Sequence, residues 1–369
     1  MIFIFLFIII LTLAIIVNLK VSRLNISTVA GAPIMAMGIM MKDILTEDFA
    51  LPYISGIVFH LIILIAFWVI IHYTFDMLEG VFYSSHIKDP ISSFSTGTWI
   101  AAISVITVLL SDKQFYTPSR ILFFINLVLW LSYLGLAVRN YIYIFKATKK
   151  YSHQIHGGLL LTCVVTQSIV ISGYTIFGVA FPTHFADILL IIGFLFYLLN
   201  FGIILFRYIH IPNKDLTESW TNTNCIIHGA MSITGVSLTF SHFEAFYILD
   251  FIWIVSFTLF LIIEAIEVFR STQRVKKLGW KQGVFSYSPS QWARIFTFGT
   301  FLFFTERIPK GHHLLIDSLQ NLVFLFLPIL IVLLILIEVL LISLQVHQNF
   351  TRKDEPIHLP YENSRYSPQ

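Results

Sequence analysis

The side chains best placed to act on another molecule fall inside apolar stretches, and the most unusual of these is residues 291–306, QWARIFTFGTFLFFTE. Phe296 sits beside Thr297, with Gly299 and Thr300 just beyond. A bulky ring next to small or hydroxylated residues is the combination a constricted aqueous passage requires. Only about a dozen uncharged residues separate Arg294 from Glu306, fewer than the roughly 20 that span hydrocarbon, so the segment belongs among longer helices. The same composition also suits a close-packed aromatic core helix. Comparable small or hydrogen-bonding residues recur in other short apolar stretches as Gly97 and Thr98, Gln167 and Ser168, and Gly229 and Ser232. Together with Thr297 and Gly299 they form the candidate lining of a passage. Phe296 is its candidate gate, and Arg294 and His228 are the candidate positive charges at one mouth.

Covalent and metal chemistry find no comparable set. The sequence has no HExxH metal motif, no P-loop, and no nucleophile with its base or paired Asp within an apolar stretch, so no enzyme activity is expected. Cys163 and Cys225 lack CxxC spacing, which argues against a disulfide framework and against a zinc site; no metal or other cofactor is expected. The 13 histidines raise the question of haem ligation, with His60, His72, His153, His156, His228 and His242 as candidates. Most lie at segment ends, where interfacial or solvated histidine is the competing reading. His312 and His313 follow Lys310 in a short connection suited to a surface role.

The elements that hold these residues follow from composition. At 369 residues, 57% hydrophobic and 12% charged, with a mean hydropathy of +0.83, the chain is too poor in charge for a soluble globular protein, where about 25% is usual. An all-α polytopic membrane protein in a lipid bilayer is expected. A net charge of +3 spread between apolar runs offers no nucleic-acid-binding face. Residues 2–18 are apolar, with no basic residue before them and no small-residue cleavage pattern after them, and read as an uncleaved anchor. From Thr28 onward, short segments rich in Gly, Ala, Ser and Thr (28–41, 93–110, 156–174, 224–239 and 291–305) alternate with long greasy ones (51–73, 121–145, 187–206, 246–269 and 322–344). The short segments recur about every 65 residues, the size of a helical hairpin with its loops. In lipid, small residues permit close backbone approach and hydroxyls bond across helices, so the short segments are expected inside and the long ones against acyl chains. The expected architecture is a ten-helix bundle of five helical hairpins around a central pore, plus one extra N-terminal helix. Residues 1–27 form the anchor and a basic linker, 28–348 the pore domain, and 349–369 a disordered tail.

Lys and Arg concentrate in alternate connections. Lys88, Lys146, Lys149, Lys150, Lys214, Arg270, Arg274, Lys276, Lys277 and Lys281 lie on one side with Lys20, Arg23, Arg352 and Lys353, against Lys42, Lys113, Arg120, Arg307 and Lys310 on the other. The positive-inside rule puts the richer side and the C-terminus in the cytoplasm of a multi-pass protein of the cytoplasmic membrane. The short segments contain no internal Asp or Glu, whereas Asp187, Asp250, Glu264, Glu267 and Glu338 belong to long ones. A passage of hydroxyls, glycine backbone and rings without carboxylates suits small anions. Two other readings stay open: a proton-coupled transporter of dicarboxylate, sulfite or tellurite-type oxyanions, and a membrane scaffold or sensor that carries no flux.

Four stretches carry a family resemblance. FSTGTWIAAISV at 94–105 looks like a third-helix pattern of Phe-Thr followed by small residues, and VVTQSIVI at 164–171 resembles a Val-Val-x-x-Gln-Ser fifth-helix motif. Trp220 followed by HGAMSIT at 228–234 is similar to the Trp and Gly-Ala-x-Ala-Ile-Thr that open a seventh helix, and QWARIFTFGT resembles a ninth-helix Trp-x-x-x-Phe-Pro-Leu-Gly. In order and spacing these resemble the tellurite-resistance/dicarboxylate transporter family, which includes the slow anion channels of plant guard cells. The resemblance implies five hairpins around a pseudo-fivefold pore, commonly a homotrimer with one pore per subunit, and matches Phe296 to the ring that occludes the pore. Thr297 stands where the family usually has proline.

Overall fold

The computed structural model describes residues 26–44, 52–210, 216–241, 246–310 and 314–351. The proposed anchor at 2–18 and most of the tail lie outside them. Every regular element among the described residues is helical. Ten principal helices alternate short and long: α1 (Ala32–Asp43), α2 (Pro52–Leu78), α3 (Gly97–Asp112), α4 (Tyr116–Lys146), α5 (Leu161–Phe177), α6 (Thr183–His210), α7 (Ile226–Phe240), α8 (Phe246–Gly283), α9 (Gln291–Arg307) and α10 (Leu314–Thr351). The odd helices have 12 to 17 residues and the even ones 27 to 38. At 1.5 Å per residue, 17 residues cover about 25 Å, short of the ~30 Å hydrocarbon thickness. Among the described residues, seven helical stretches are long and apolar enough to cross a membrane; α1, α7 and α9 do not meet that length and are enclosed by the others. The chain is an all-α, multi-pass membrane protein.

The odd helices close a ring: α1 packs on α3, α3 on α5, α5 on α7, α7 on α9, and α9 back on α1. The even helices clothe it, with α4 against α3 and α5, α6 against α5 and α7, α8 against α7, α10 against α9, and α2 against α1. Burial separates the two sets. In the most apolar window of residues 157–180, 89% of positions are buried, against 22% in that of α2. The exposed large hydrophobic residues of the even helices are mostly Leu, Ile, Val and Phe, the side chains lipid accepts.

Small residues let the ring close. A Cβ on Gly31 would collide with the Thr98 carbonyl, and one on Gly229 with Thr297 of α9, so both contacts are made at backbone distance. Pro33 lies in the first turn of α1, where its missing N–H would have had no helical partner. Three inner helices, α3, α5 and α7, are entered through short 3-10 turns at Ser92–Thr96, Gly157–Leu160 and Asn222–Cys225.

Polar side chains fasten the outer helices to the ring. Asn126 of α4 donates to the Ser104 hydroxyl of α3 at 2.8 Å, and Trp130 to Thr166 of α5 at 3.1 Å. Asn200 of α6 donates to Thr162 at 2.9 Å, and Trp253 of α8 to Thr305 of α9 at 2.9 Å. Each bond satisfies a buried polar group that hydrocarbon could not.

Candidate permeation pathway

Two cavities lie inside the ring, and Phe296 lines both. The smaller, about 370 Å³ including its mouth, touches Ala32 of α1, Thr98 of α3, Val164 of α5, Ile226 of α7 and Ala293 of α9. The larger, about 630 Å³ with its mouth, touches Ile39, Val105, Ile171, Val236 and Thr300 of the same five helices. Because the first set lies near helix starts and the second further along, the five inner helices run parallel. Their N-terminal ends gather at one mouth and their C-terminal ends at the other. Phe296, 5% exposed, is the one residue that the two linings share. Thr300, one turn later, donates back to the Phe296 carbonyl at 2.8 Å and faces the larger chamber.

The walls are drier than the sequence suggests. Of the candidate lining residues, only Thr98 and Ser168 reach a cavity, and both hydroxyls donate to carbonyls of their own segments, those of Ser95 and Val165. The rest are placed between helices. Gly97 faces Leu161 and Tyr133, Gly229 faces Thr297, and Gly299 faces Ile39. Gln167 accepts from Ser237 of α7 at 2.7 Å and donates to the Leu190 carbonyl of α6 at 3.3 Å. Ser232 lies 3.1 Å from Ser256 of α8. The physical reason is common to all of them: a hydroxyl or amide in lipid gains more from a neighbouring helix than from an open axis, and glycine is needed where helices touch.

The two candidate charges are also elsewhere. Arg294 points away from the axis to α8, 2.9 Å from Glu267 and 3.7 Å from Glu264, so its charge is compensated. His228 is fully buried, edge-on to Phe260 of α8 at 5.2 Å between ring centroids. The cation that does line a cavity is Lys42, at the C-terminal mouth, bound to Asp112 at 2.7 Å. Beside it the Arg307 guanidinium stacks 3.8 Å over Phe240, another wall residue.

Sequence reasoning missed the apolar stripe that makes the walls. Ala101, Ser104, Val105, Val108 and Leu109 of α3 recur at helical spacing, but among equally apolar neighbours that period is invisible.

Two histidines brace the N-terminal mouth. His156 accepts on one ring nitrogen from the Gly158 N–H at 3.0 Å and pairs through it with the Thr223 hydroxyl at 2.9 Å. Burial and the Arg207 charge push its pKa down to about 4. His86 joins Thr28 (2.9 Å) to Asp76 (3.1 Å), and burial lowers its pKa against the pull of that carboxylate. Thr223 and Val29, the residue after Thr28, line the smaller cavity. Of the other haem candidates, His60 and His72 bond to carbonyls one turn back on α2, and His242 lies outside the described residues. No cluster of three or more His, Cys, Asp or Glu able to hold a metal occurs among the described residues.

Fold and site together define a multi-pass helical membrane protein with two cavities inside a five-helix ring. Comparison with protein-family models, with curated proteins and with solved structures returns no match.

Proposed function

We propose that the chain is an anion channel or facilitative anion transporter of the tellurite-resistance/dicarboxylate transporter type, with Phe296 as the steric gate of a central pore. The observation that carries this reading is the position of Phe296 as the shared wall of two chambers, each lined by all five inner helices. Rotating or removing that ring joins them.

Anion preference rests on helix direction and on the charges near the axis. Five parallel helices turn their N-terminal ends, each with a partial positive charge, toward one mouth. The wall residues of both chambers include no Asp or Glu, and the cation among them, Lys42, is paired with Asp112 at the other mouth. Apolar walls with few polar groups favour passage through a wetted gap over tight binding, as a channel requires. The distribution of Lys and Arg orients the N-terminal mouth toward the cytoplasm.

The test is anion and cation flux from vesicles reconstituted with the wild type and with Phe296→Ala. Faster anion flux in the variant supports the reading. Equal flux from protein shown to be inserted rejects the gate, and cation flux in place of anion flux rejects the selectivity.

A further inference from the structure

The gate helix is held from behind by a buried charged cluster whose charges do not balance. Arg294, two residues before Phe296 on α9, is paired with Glu264 and Glu267 of α8. Glu267 also accepts from Trp220 at 2.8 Å and lies 3.4 Å from Arg270. Arg270 donates to Asn222 at 2.7 Å, and Asn222 to Ser290, the residue before α9, at 3.2 Å. The first turn of α9 is thus clamped at Ser290 and at Arg294.

Glu338 of α10 adds a third carboxylate to this region's two guanidinium groups. It is 7% exposed and shares the buried face of its helix with Ile331 and Leu341, while Leu336, Ile337, Val339 and Leu340 face outward. Its side chain therefore has no route to water along the lipid face. One of its carboxylate oxygens has no hydrogen-bond partner. The ionisable groups close enough to act on it electrostatically are the Arg294 guanidinium on α9 and the neutral Tyr287 phenol in the α8–α9 connection. Behind Arg294 stand Glu264, Glu267 and Arg270, with Cys225 and His228 on its α7 side. Among the three carboxylates Glu267 is the best bonded, Glu264 has one long contact, and Glu338 leaves a buried oxygen without a hydrogen bond. A buried ionised carboxylate without a partner is far costlier than its neutral acid.

We propose that Glu338 is a proton-binding site, and that its proton decides whether Arg294 is held by α8 alone or shared between α8 and α10. With the proton bound, Glu338 is a neutral acid and α9 stays clamped to α8. Once the proton leaves for water, a new carboxylate on the opposite flank competes for Arg294 and draws the start of α9, with Phe296, toward α10. The flux part of this proposal rests on the reading of Phe296 as a gate; the proton site does not.

Infrared spectroscopy of the purified protein tests the site directly. The wild type should show a carboxylic-acid C=O band that disappears as pH rises and is missing in Glu338→Gln. An unchanged band in Glu338→Gln, or a band lost only in Glu264→Gln, overturns the assignment. Glu338→Asp provides a second variant if Glu338→Gln does not fold: it should keep an acid band at a shifted frequency, and an unshifted band again overturns the assignment. In vesicles, chloride flux should depend on pH in the wild type and lose that dependence in Glu338→Gln; the same dependence in both overturns the coupling. A wild type that passes no anion at any pH but loses its acid band in Glu338→Gln would leave the proton site standing and remove the gate reading.

Discussion

Helices α5 and α9 are both 17 residues long and both sit in the inner ring, yet they use their side chains in opposite ways. In α5 most polar residues are spent on neighbouring helices: Thr162, Thr166 and Gln167 take bonds from Asn200, Trp130 and Ser237 of three of them. In α9 the aromatic residues are divided. Phe301 stacks on Phe260 of α8 and Phe298 meets it edge-on, Phe304 fills the space over Gly235, and Phe296 lines the cavities. The comparison teaches that polarity in this ring serves assembly and apolar bulk lines its cavities. That reverses the intuition that hydroxyls mark the aqueous side. It follows from lipid as solvent: with no hydrophobic force between helices, hydrogen bonds and close contacts must hold the ring together.

If assembly depends on polar groups between helices, perturbing them should change stability and leave conduction alone. The largest effect is expected from acid at the N-terminal mouth. His156 has its folded pKa depressed to about 4, below the unfolded value near 6.5. Its neutral form therefore contributes stability that is present above pH ~6.5 and is lost as pH falls toward 4. Up to roughly 3 kcal/mol is at stake, less what the ring's residual solvent contact screens. Unfolding midpoints in detergent should fall across that window, and His156→Asn should flatten the fall; a midpoint indifferent to pH would break the account of this mouth. Next comes Gly229→Val, which drives a side chain into Thr297 and should cost about 1–3 kcal/mol by the same assay.

Smaller effects sharpen the contrast between the two helices. Gln167→Leu removes the bonds to Ser237 and Leu190, and should cost about 1 kcal/mol, because Ser237 still donates to the Thr234 carbonyl. Its anion flux should match the wild type; a large change would put Gln167 on the pathway after all. Ser168→Ala, which deletes a wall hydroxyl bonded only within α5, should shift stability by less than about 0.5 kcal/mol. It should leave flux unaltered.

The ten-helix alternation was legible in the sequence because length and small-residue content differ so sharply between α5 and α6, or α9 and α10. The ring could be inferred for the same reason. The walls could not. A threonine such as Thr166 carries no mark that separates a hydroxyl facing water from one accepting a bond from Trp130. Arg294 reads from the sequence as a charge at the mouth because its partners, Glu264 and Glu267, belong to an outer helix whose facing side the hydropathy pattern does not disclose. Phe296 stood out because a bulky ring beside Thr297 and Gly299 is unusual at a helix contact, although those two neighbours turn out to face α7 and α1.

The most direct measurement is chloride efflux from vesicles holding wild type or Phe296→Ala, with potassium efflux as the control. The variant should release chloride at least about tenfold faster, the equivalent of removing roughly 1.4 kcal/mol of barrier, with potassium unchanged. Equal chloride rates from two proteins equally folded and inserted would mean that the ring between the chambers does not obstruct a path, and the account of this molecule as a gated passage would be wrong.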